Sequence, residues 1–106
     1  MSRVTVARFD DLVEGAGTHV DVGEERVAVF RVGDQAYAIA DRCSHAEASL
    51  SEGELLGTDV ECPRHGAEFD ITTGAALTLP APTPVATYPV DVVDGDVQIT
   101  IGGTSE

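Results

Sequence analysis

Short stretches of alternating apolar and polar residues recur along this chain, which is the pattern of β-strands with one buried face. Six stretches alternate or are rich in β-branched residues: 4–9, 18–22, 26–32, 35–40, 90–93 and 97–101. No window carries a helical period of any length, and only residues 10–15 are expected to form one turn of helix. The pattern therefore predicts an all-β fold, in the form of a small sandwich or barrel.

Turn-forming dipeptides follow two of these stretches. Gly33-Asp34 follows the third stretch and Asp94-Gly95 follows the fifth. Glycine next to aspartate supplies the positive φ angles that tight hairpin turns require. We therefore expect two β-hairpins, one near the middle of the chain and one near its C-terminal end.

The middle of the chain differs from its two ends. Residues 41–84 contain both cysteines, two of the three histidines and four of the five prolines. Pro80, Pro82 and Pro84 alternate with other residues in a segment that is extended and cannot be a central strand. We expect a single domain over residues 1–106, with a β base formed by 1–40 and 85–106 and a smaller subdomain formed by 41–84.

Composition and charge restrict the class of protein. With 106 residues, of which 42% are hydrophobic, the chain has enough apolar side chains for one modest core. The formal net charge of −13 argues against a nucleic-acid partner, because phosphates repel such a surface. The same charge is compatible with simple solubility and with steering toward a basic protein partner.

The N-terminal residues have no charged head followed by an apolar run, and no stretch is long and apolar enough to span a membrane. We therefore expect a cytoplasmic protein with no membrane partner. Disulfides are rare in that compartment, so we expect the two cysteines to be reduced or bound to metal.

The candidate chemistry lies in one motif. Cys43-Ser44-His45 is followed by sixteen residues and then by Cys62-Pro63-Arg64-His65, which gives the pattern C-x-H-x16-C-x2-H. A structural zinc site usually groups its cysteines together and its histidines together, whereas here each half supplies one of each. A binuclear iron cluster suits the mixture better, since each segment can send its cysteine to one iron and its histidine to the other.

Three other interpretations of these residues remain open at this point. The cysteines can form a disulfide, the four residues can bind one zinc ion, or the cysteines can be unrelated core residues. A non-redox zinc-binding or interaction module thus competes with a redox protein. His19 has no partner at ligand spacing and is expected to be an ordinary surface or strand residue.

The motif resembles the two cluster-binding boxes of Rieske [2Fe–2S] proteins. The continuation over residues 67–74, together with Leu79-Pro80-Ala81 and Tyr88-Pro89-Val90, is similar to the ferredoxin components of bacterial aromatic-ring dioxygenases. The resemblance covers nearly the whole chain. It implies three antiparallel sheets, with the cluster at the tip of the small subdomain and the proline-rich segment near it.

The resemblance also implies the cofactor and the role. One Rieske-type [2Fe–2S] cluster would be bound by Cys43, His45, Cys62 and His65. The protein would be a monomeric electron carrier, not an enzyme by itself, and would take one electron from a reductase to a terminal non-haem iron oxygenase. A redox partner of iron–sulfur assembly machinery is the other role that the motif allows.

Two positions after the second box suggest a low reduction potential. High-potential Rieske proteins have a serine and a tyrosine there, whose hydroxyls bond to sulfur, whereas this chain has Ala67 and Phe69. They also have an extra cysteine in each box, where this chain has Ala48 and Arg64. We therefore expect a midpoint near the bottom of the Rieske range. We also expect Phe69 to be core packing under the second segment.

Overall fold

The computed structural model describes residues 2–23, 25–41, 49–63, 67–77 and 84–101. In these ranges the chain forms ten strands: β1 Ser2–Arg8, β2 Gly17–Val22, β3 Glu25–Val32, β4 Gln35–Ala40, β5 Leu55–Leu56, β6 Asp59–Glu61, β7 Glu68–Asp70, β8 Thr87–Tyr88, β9 Val90–Val93 and β10 Asp96–Ile101. Two short 3₁₀ helices, Phe9–Asp11 and Leu50–Glu52, complete the regular structure of the described ranges. The helical turn expected at 10–15 thus begins and ends earlier, at Phe9 and Asp11.

The strands form three antiparallel sheets. The first has the order β1-β10-β9, the second β2-β3-β4-β8 and the third β5-β6-β7. Every strand pair within these sheets is antiparallel. The all-β fold of antiparallel sheets that was expected is therefore confirmed.

Both expected hairpins are present, and their turns explain the register. Val32 pairs with Gln35, and Val93 pairs with Asp96, so each turn has two residues. In the second turn Asp94 has φ 52° and Gly95 has φ 84°, which is the pair of positive angles that a type I′ turn requires.

Two apolar cores lie on opposite faces of the second sheet. Successive β3 residues point to alternate faces, so that Val27 and Val29 pack toward β10 while Ala28 and Phe30 pack toward the third sheet. All four are fully buried. A strand that is covered on both faces has apolar residues at consecutive positions of its sequence. This is why apolar and polar residues do not alternate strictly in β3. The third sheet is therefore supported by the second sheet.

Candidate metal centre

The second half of the motif lies on the β6–β7 hairpin of the third sheet. Val60 pairs with Phe69, and beyond the last strand pair the Cys62 N–H donates to the Ala67 carbonyl at 2.6 Å. Val60, Cys62, Ala67 and Phe69 all belong to the buried core on the inner side of the hairpin. His65 belongs to the connection between Cys62 and Ala67 and lies outside the described residues.

Of the four expected ligands, Cys62 is described by the structure. It is 1% exposed and packs in the same core as Leu50, Ala67 and Phe69. Within the described part of the chain it forms no disulfide. Phe69 is fully buried, as expected for a side chain that packs under the second segment.

The first half of the motif, with Cys43 and His45, also lies outside the described residues, but both ends of its segment are described. Asp41 follows β4, and its carbonyl accepts the Leu50 N–H at 2.6 Å. One carboxylate oxygen of Asp41 accepts the Ser51 N–H at 2.8 Å. The described chain therefore ends at Asp41 and resumes beside it, with Leu50 and Ser51 bonded to Asp41.

The residues that follow this segment lie against the strand that leads to Cys62. The Glu61 N–H donates to the Glu54 carbonyl at 2.9 Å. Gly53 approaches so closely that a Cβ added to it would lie 1.9 Å from the Glu61 carbonyl oxygen. Residues 53 and 54, which follow the first segment, thus lie beside Glu61, the residue before Cys62.

The proline-rich segment begins beside the same hairpin. The Leu77 N–H donates to the Glu68 carbonyl at 2.8 Å, and the Val85 N–H donates to the Gly74 carbonyl at 2.9 Å. Pro84 is exposed, whereas Pro80 and Pro82 lie outside the described residues. Three segments of the chain, 42–48, 64–66 and 78–83, therefore start or end around one small sheet.

His19 lies elsewhere. It is an exposed residue of β2, which is in the second sheet. In the ranges that the structure describes, no group of three or more His, Cys, Asp or Glu residues is placed to hold a metal ion. This is consistent with the expected ordinary role of His19.

Charged residues occur in all three sheets. In the first sheet, two arginines contact carboxylates, with Arg3 3.1 Å from Asp91 and Arg8 2.6 Å from Asp96. In the third sheet, Asp59 pairs with Asp70 and Glu61 pairs with Glu68 across neighbouring strands. Such like-charged pairs destabilise a sheet.

Asp70 has local compensation for this repulsion. The Thr72 hydroxyl and the Thr72 N–H both donate to its carboxylate, at 2.6 and 2.8 Å. These two hydrogen bonds lower the pKa of Asp70 below its usual value, and the bond from the hydroxyl has the larger effect.

Comparison with known proteins decides the family. The sequence profile of the Rieske [2Fe–2S] domain matches residues 2–89, a range that includes both halves of the motif. The chain belongs to the Rieske [2Fe–2S] family. The resemblance inferred from the motif is therefore confirmed, and the cofactor of this Rieske protein is one [2Fe–2S] cluster.

Relatives place the chain among Rieske ferredoxins. The 3-phenylpropionate/cinnamic acid dioxygenase ferredoxin subunits of Shigella flexneri serotype 5b and Escherichia coli K12 are each 46% identical to it over 102 residues, which is 95% of either chain. The ferredoxin of carbazole 1,9a-dioxygenase from Nocardioides aromaticivorans has a TM-score of 0.90 and 40% identity, with 93% of this chain and 97% of that chain covered.

Two further structures agree. The Sphingomonas yanoikuyae B1 ferredoxin has a TM-score of 0.90 and 33% identity over 95% of this chain and all of that one. A chain in the complex of reduced oxygenase and oxidized ferredoxin in carbazole 1,9a-dioxygenase has a TM-score of 0.87 and 41% identity, covering 92% and 91%. The expectation of an electron carrier is confirmed.

The residues of the chain fit the cofactor. A Rieske cluster needs two thiolates and two imidazoles, and the motif contains that set with both cysteines of the chain. Cys62 supplies a buried thiol at the end of a hairpin, beside the backbone to which the other motif segment returns.

No helix in the described ranges is long and apolar enough to cross a membrane.

Sequence reasoning missed one residue of this region. Asp41 is fully buried although it is charged, and it bonds to Leu50 and Ser51, which follow the segment that contains Cys43 and His45. In the sequence, Asp41 is marked only by its position two residues before the first cysteine. The sequence alone does not distinguish a buried aspartate at that position from one exposed to solvent.

Proposed function

We propose that this protein carries single electrons from a reductase to the terminal oxygenase of an aromatic-ring dioxygenase system. The supporting observation is the identity of 46% over nearly the full length to ferredoxin subunits of such a system. A relative of 41% identity is known in complex with an oxygenase, which supports an oxygenase as the electron acceptor.

In this proposal Cys43, His45, Cys62 and His65 are the ligands of the cluster. The two cysteines would bind one iron and the two histidines the other, as in other Rieske centres. When bound, the cluster supplies a site that accepts one electron and gives it up again. The protein contributes the ligand positions, the burial and the hydrogen bonds that set the potential.

The described residues suggest how the protein does this. The β6–β7 hairpin fixes Cys62 through the bond of its N–H to the Ala67 carbonyl. Ala67 and Phe69 cover the inner side of the hairpin and exclude water from it, since both are fully buried. Neither side chain has a hydroxyl, so neither can donate a hydrogen bond to sulfur.

We further propose that the chain is one Rieske domain with two parts. Residues 1–40 and 85–106 form the base, and residues 41–84 form the cluster-binding subdomain. The sheet order supports this division, because β5, β6 and β7 pair with one another and with no other named strand of the described ranges.

The partners and location complete the proposal. The protein works as a cytoplasmic monomer that binds neither nucleic acid nor membranes. A carrier must leave one partner to reach the next, so its contacts should be small, below about 1,200 Å². The net charge of −13 supports steering toward partners whose docking surfaces are basic.

The ligand assignment is tested with purified protein from iron-replete cells. We expect about two irons and two acid-labile sulfides per chain. His45→Ala and His65→Ala should each lose or destabilise the cluster, whereas His19→Ala, the matched control, should keep it. Stoichiometric zinc without labile sulfide would refute the assignment, as would a His19→Ala variant that bleaches while His45→Ala does not.

Electron transfer is tested separately by rapid mixing. Reduced protein is mixed with a purified terminal oxygenase of an aromatic-ring dioxygenase system, and reoxidation is followed by visible absorbance. We expect single-turnover product that scales with the ferredoxin added. Reoxidation that is no faster than in buffer would leave the cluster assignment intact and overturn the oxygenase as partner.

A further inference from the structure

Asp41 uses every polar group that it has. Its N–H donates to the Arg26 carbonyl at 2.9 Å, and its carbonyl accepts the Leu50 N–H. One carboxylate oxygen accepts the Ser51 N–H, and the other accepts the Ser49 hydroxyl at 2.5 Å. The residue is 0% exposed. A charged side chain is rarely buried to this extent unless it is fully hydrogen-bonded.

Three of these bonds join Asp41, which precedes residues 42–48, to residues that follow them. The residues that follow are Ser49, Leu50 and Ser51. The backbone bond to Leu50 alone would be enough to close a loop, and it needs no carboxylate. The side chain of Asp41 adds two further bonds that fix the direction in which the chain leaves and returns.

The two serines are also joined to each other. The hydroxyl oxygens of Ser49 and Ser51 lie 2.9 Å apart, so the carboxylate is the centre of a small network. Among the described residues, the Arg26 guanidinium also approaches the carboxylate, with its Nε 4.0 Å away, and the Arg26 side chain is 53% exposed. The serines and the backbone make the closer contacts with the carboxylate.

We infer that Asp41 is a positioning residue for the cluster: its carboxylate clamps the loop that carries Cys43 and His45 and so sets the placement of these two ligands. The inference rests on the ligand assignment proposed above. Residues that orient ligands without touching the metal commonly change metal affinity by roughly 10- to 100-fold when they are removed.

Three variants test the clamp, and each changes the network to a different degree. Asp41→Ala removes both side-chain bonds and should lose its cluster roughly 10- to 100-fold faster than the wild type. Asp41→Asn should restore the wild-type rate, because its amide oxygen can accept from Ser51 and its amide N–H can donate to the Ser49 hydroxyl. Ser49→Ala removes the bond to the carboxylate and the contact with the Ser51 hydroxyl but keeps the bond from the Ser51 N–H, and should give an intermediate rate.

Asp70 offers a matched control in the same part of the molecule. Its carboxylate accepts two bonds from Thr72, and its carbonyl accepts the Gly74 N–H at 2.7 Å, so it also closes a short segment. That segment, residues 70–74, contains no motif residue. Asp70→Ala should lower the unfolding temperature and leave the rate of cluster loss close to that of the wild type.

The measurements are iron and sulfide content, bleaching of the visible absorbance in the presence of a chelator, and the EPR spectrum and midpoint potential of the protein that retains its cluster. Asp41→Ala should shift the EPR g-values and the potential, and Asp41→Asn should restore the g-values. A role limited to general stability would lower the unfolding temperature of Asp41→Ala and leave the spectrum unchanged.

The outcomes separate the two proposals. If His45→Ala keeps a full cluster, the ligand assignment fails. If His45→Ala loses the cluster while Asp41→Ala matches the wild type in bleaching and spectrum, only the clamp fails. If Asp41→Ala does not fold, Ser49→Ala decides: faster bleaching with a shifted spectrum supports the clamp, and wild-type behaviour overturns it.

Discussion

A single added methyl group at Gly53 should disturb the place where the two motif segments meet. Gly53 has φ −78° and ψ 163°, angles that any residue adopts. On backbone grounds alone, Gly53→Ala would stabilise the protein by about 0.4–1 kcal/mol, because alanine restricts the unfolded chain. The added Cβ would, however, lie 1.9 Å from the Glu61 carbonyl oxygen and 3.0 Å from its carbon.

The size of the effect follows from that distance. Real Cβ contacts are essentially never shorter than 3.0 Å, so the two backbones must separate by roughly 1.1 Å. The atom in the way is backbone and cannot rotate aside. Overpacking of this kind costs typically about 1–3 kcal/mol. After the gain from the restricted unfolded chain is subtracted, the net loss is about 1.3 kcal/mol. This corresponds to a fall of about 5–10 °C in unfolding temperature for a domain of this size.

The assay is thermal unfolding of the cluster-loaded protein, followed by circular dichroism, with bleaching of the visible absorbance measured in parallel. Gly57→Ala is the control, since nothing lies within 4 Å of its added Cβ but its φ is +66°. That variant should lose about 1–2 kcal/mol from the strained backbone angle and keep the cluster. An unchanged or raised unfolding temperature in Gly53→Ala would refute the argument.

Two other predictions concern potential and pH. With Ala67 and Phe69 in place of hydroxyl donors, the midpoint potential should lie near the bottom of the Rieske range, roughly −150 mV. The double variant Ala67→Ser, Phe69→Tyr should raise the potential. A wild-type midpoint above zero in a redox titration would contradict this view of the site. Burial, and then the bond from the Tyr88 hydroxyl to Glu25, raise the pKa of Tyr88 from 10.0 to about 12. The folded state thus favours the neutral phenol of Tyr88. The contribution of this phenol to stability is complete below pH 10 and is lost between pH 10 and 12. The unfolding temperature of Tyr88→Phe should therefore fall less steeply over that interval than that of the wild type, and equal slopes would show that the bond to Glu25 is unimportant.

The parts of the fold that follow from local chemistry were predictable from the sequence. The hairpin turns are encoded by neighbouring residues, and the longer strands have enough alternating positions to be recognised. The third sheet was not predictable in this way, because Leu55–Leu56, Asp59–Glu61 and Glu68–Asp70 are too short to show a period. It was expected only through the resemblance to Rieske proteins.

The residues of the site also differ in how far the sequence predicts them. The four ligand residues stand out because cysteine and histidine are rare and their spacing is specific. Asp41 does not stand out, because it is one of 19 acidic residues. Ser49 and Ser51 reach the Asp41 carboxylate only in the folded chain.

The structure also gives a physical meaning to the sixteen residues between the two halves of the motif. After the first half the chain makes the 3₁₀ helix Leu50–Glu52, runs along β5, turns at Gly57-Thr58 and returns along β6 to Cys62. Val60 and Cys62 are both buried, whereas Asp59 and Glu61, on the opposite face, are partly exposed. Because strand faces alternate with every residue, one residue more or fewer in β6 would exchange them. The length of β6 is therefore constrained by the requirement that Cys62 lie on the buried face.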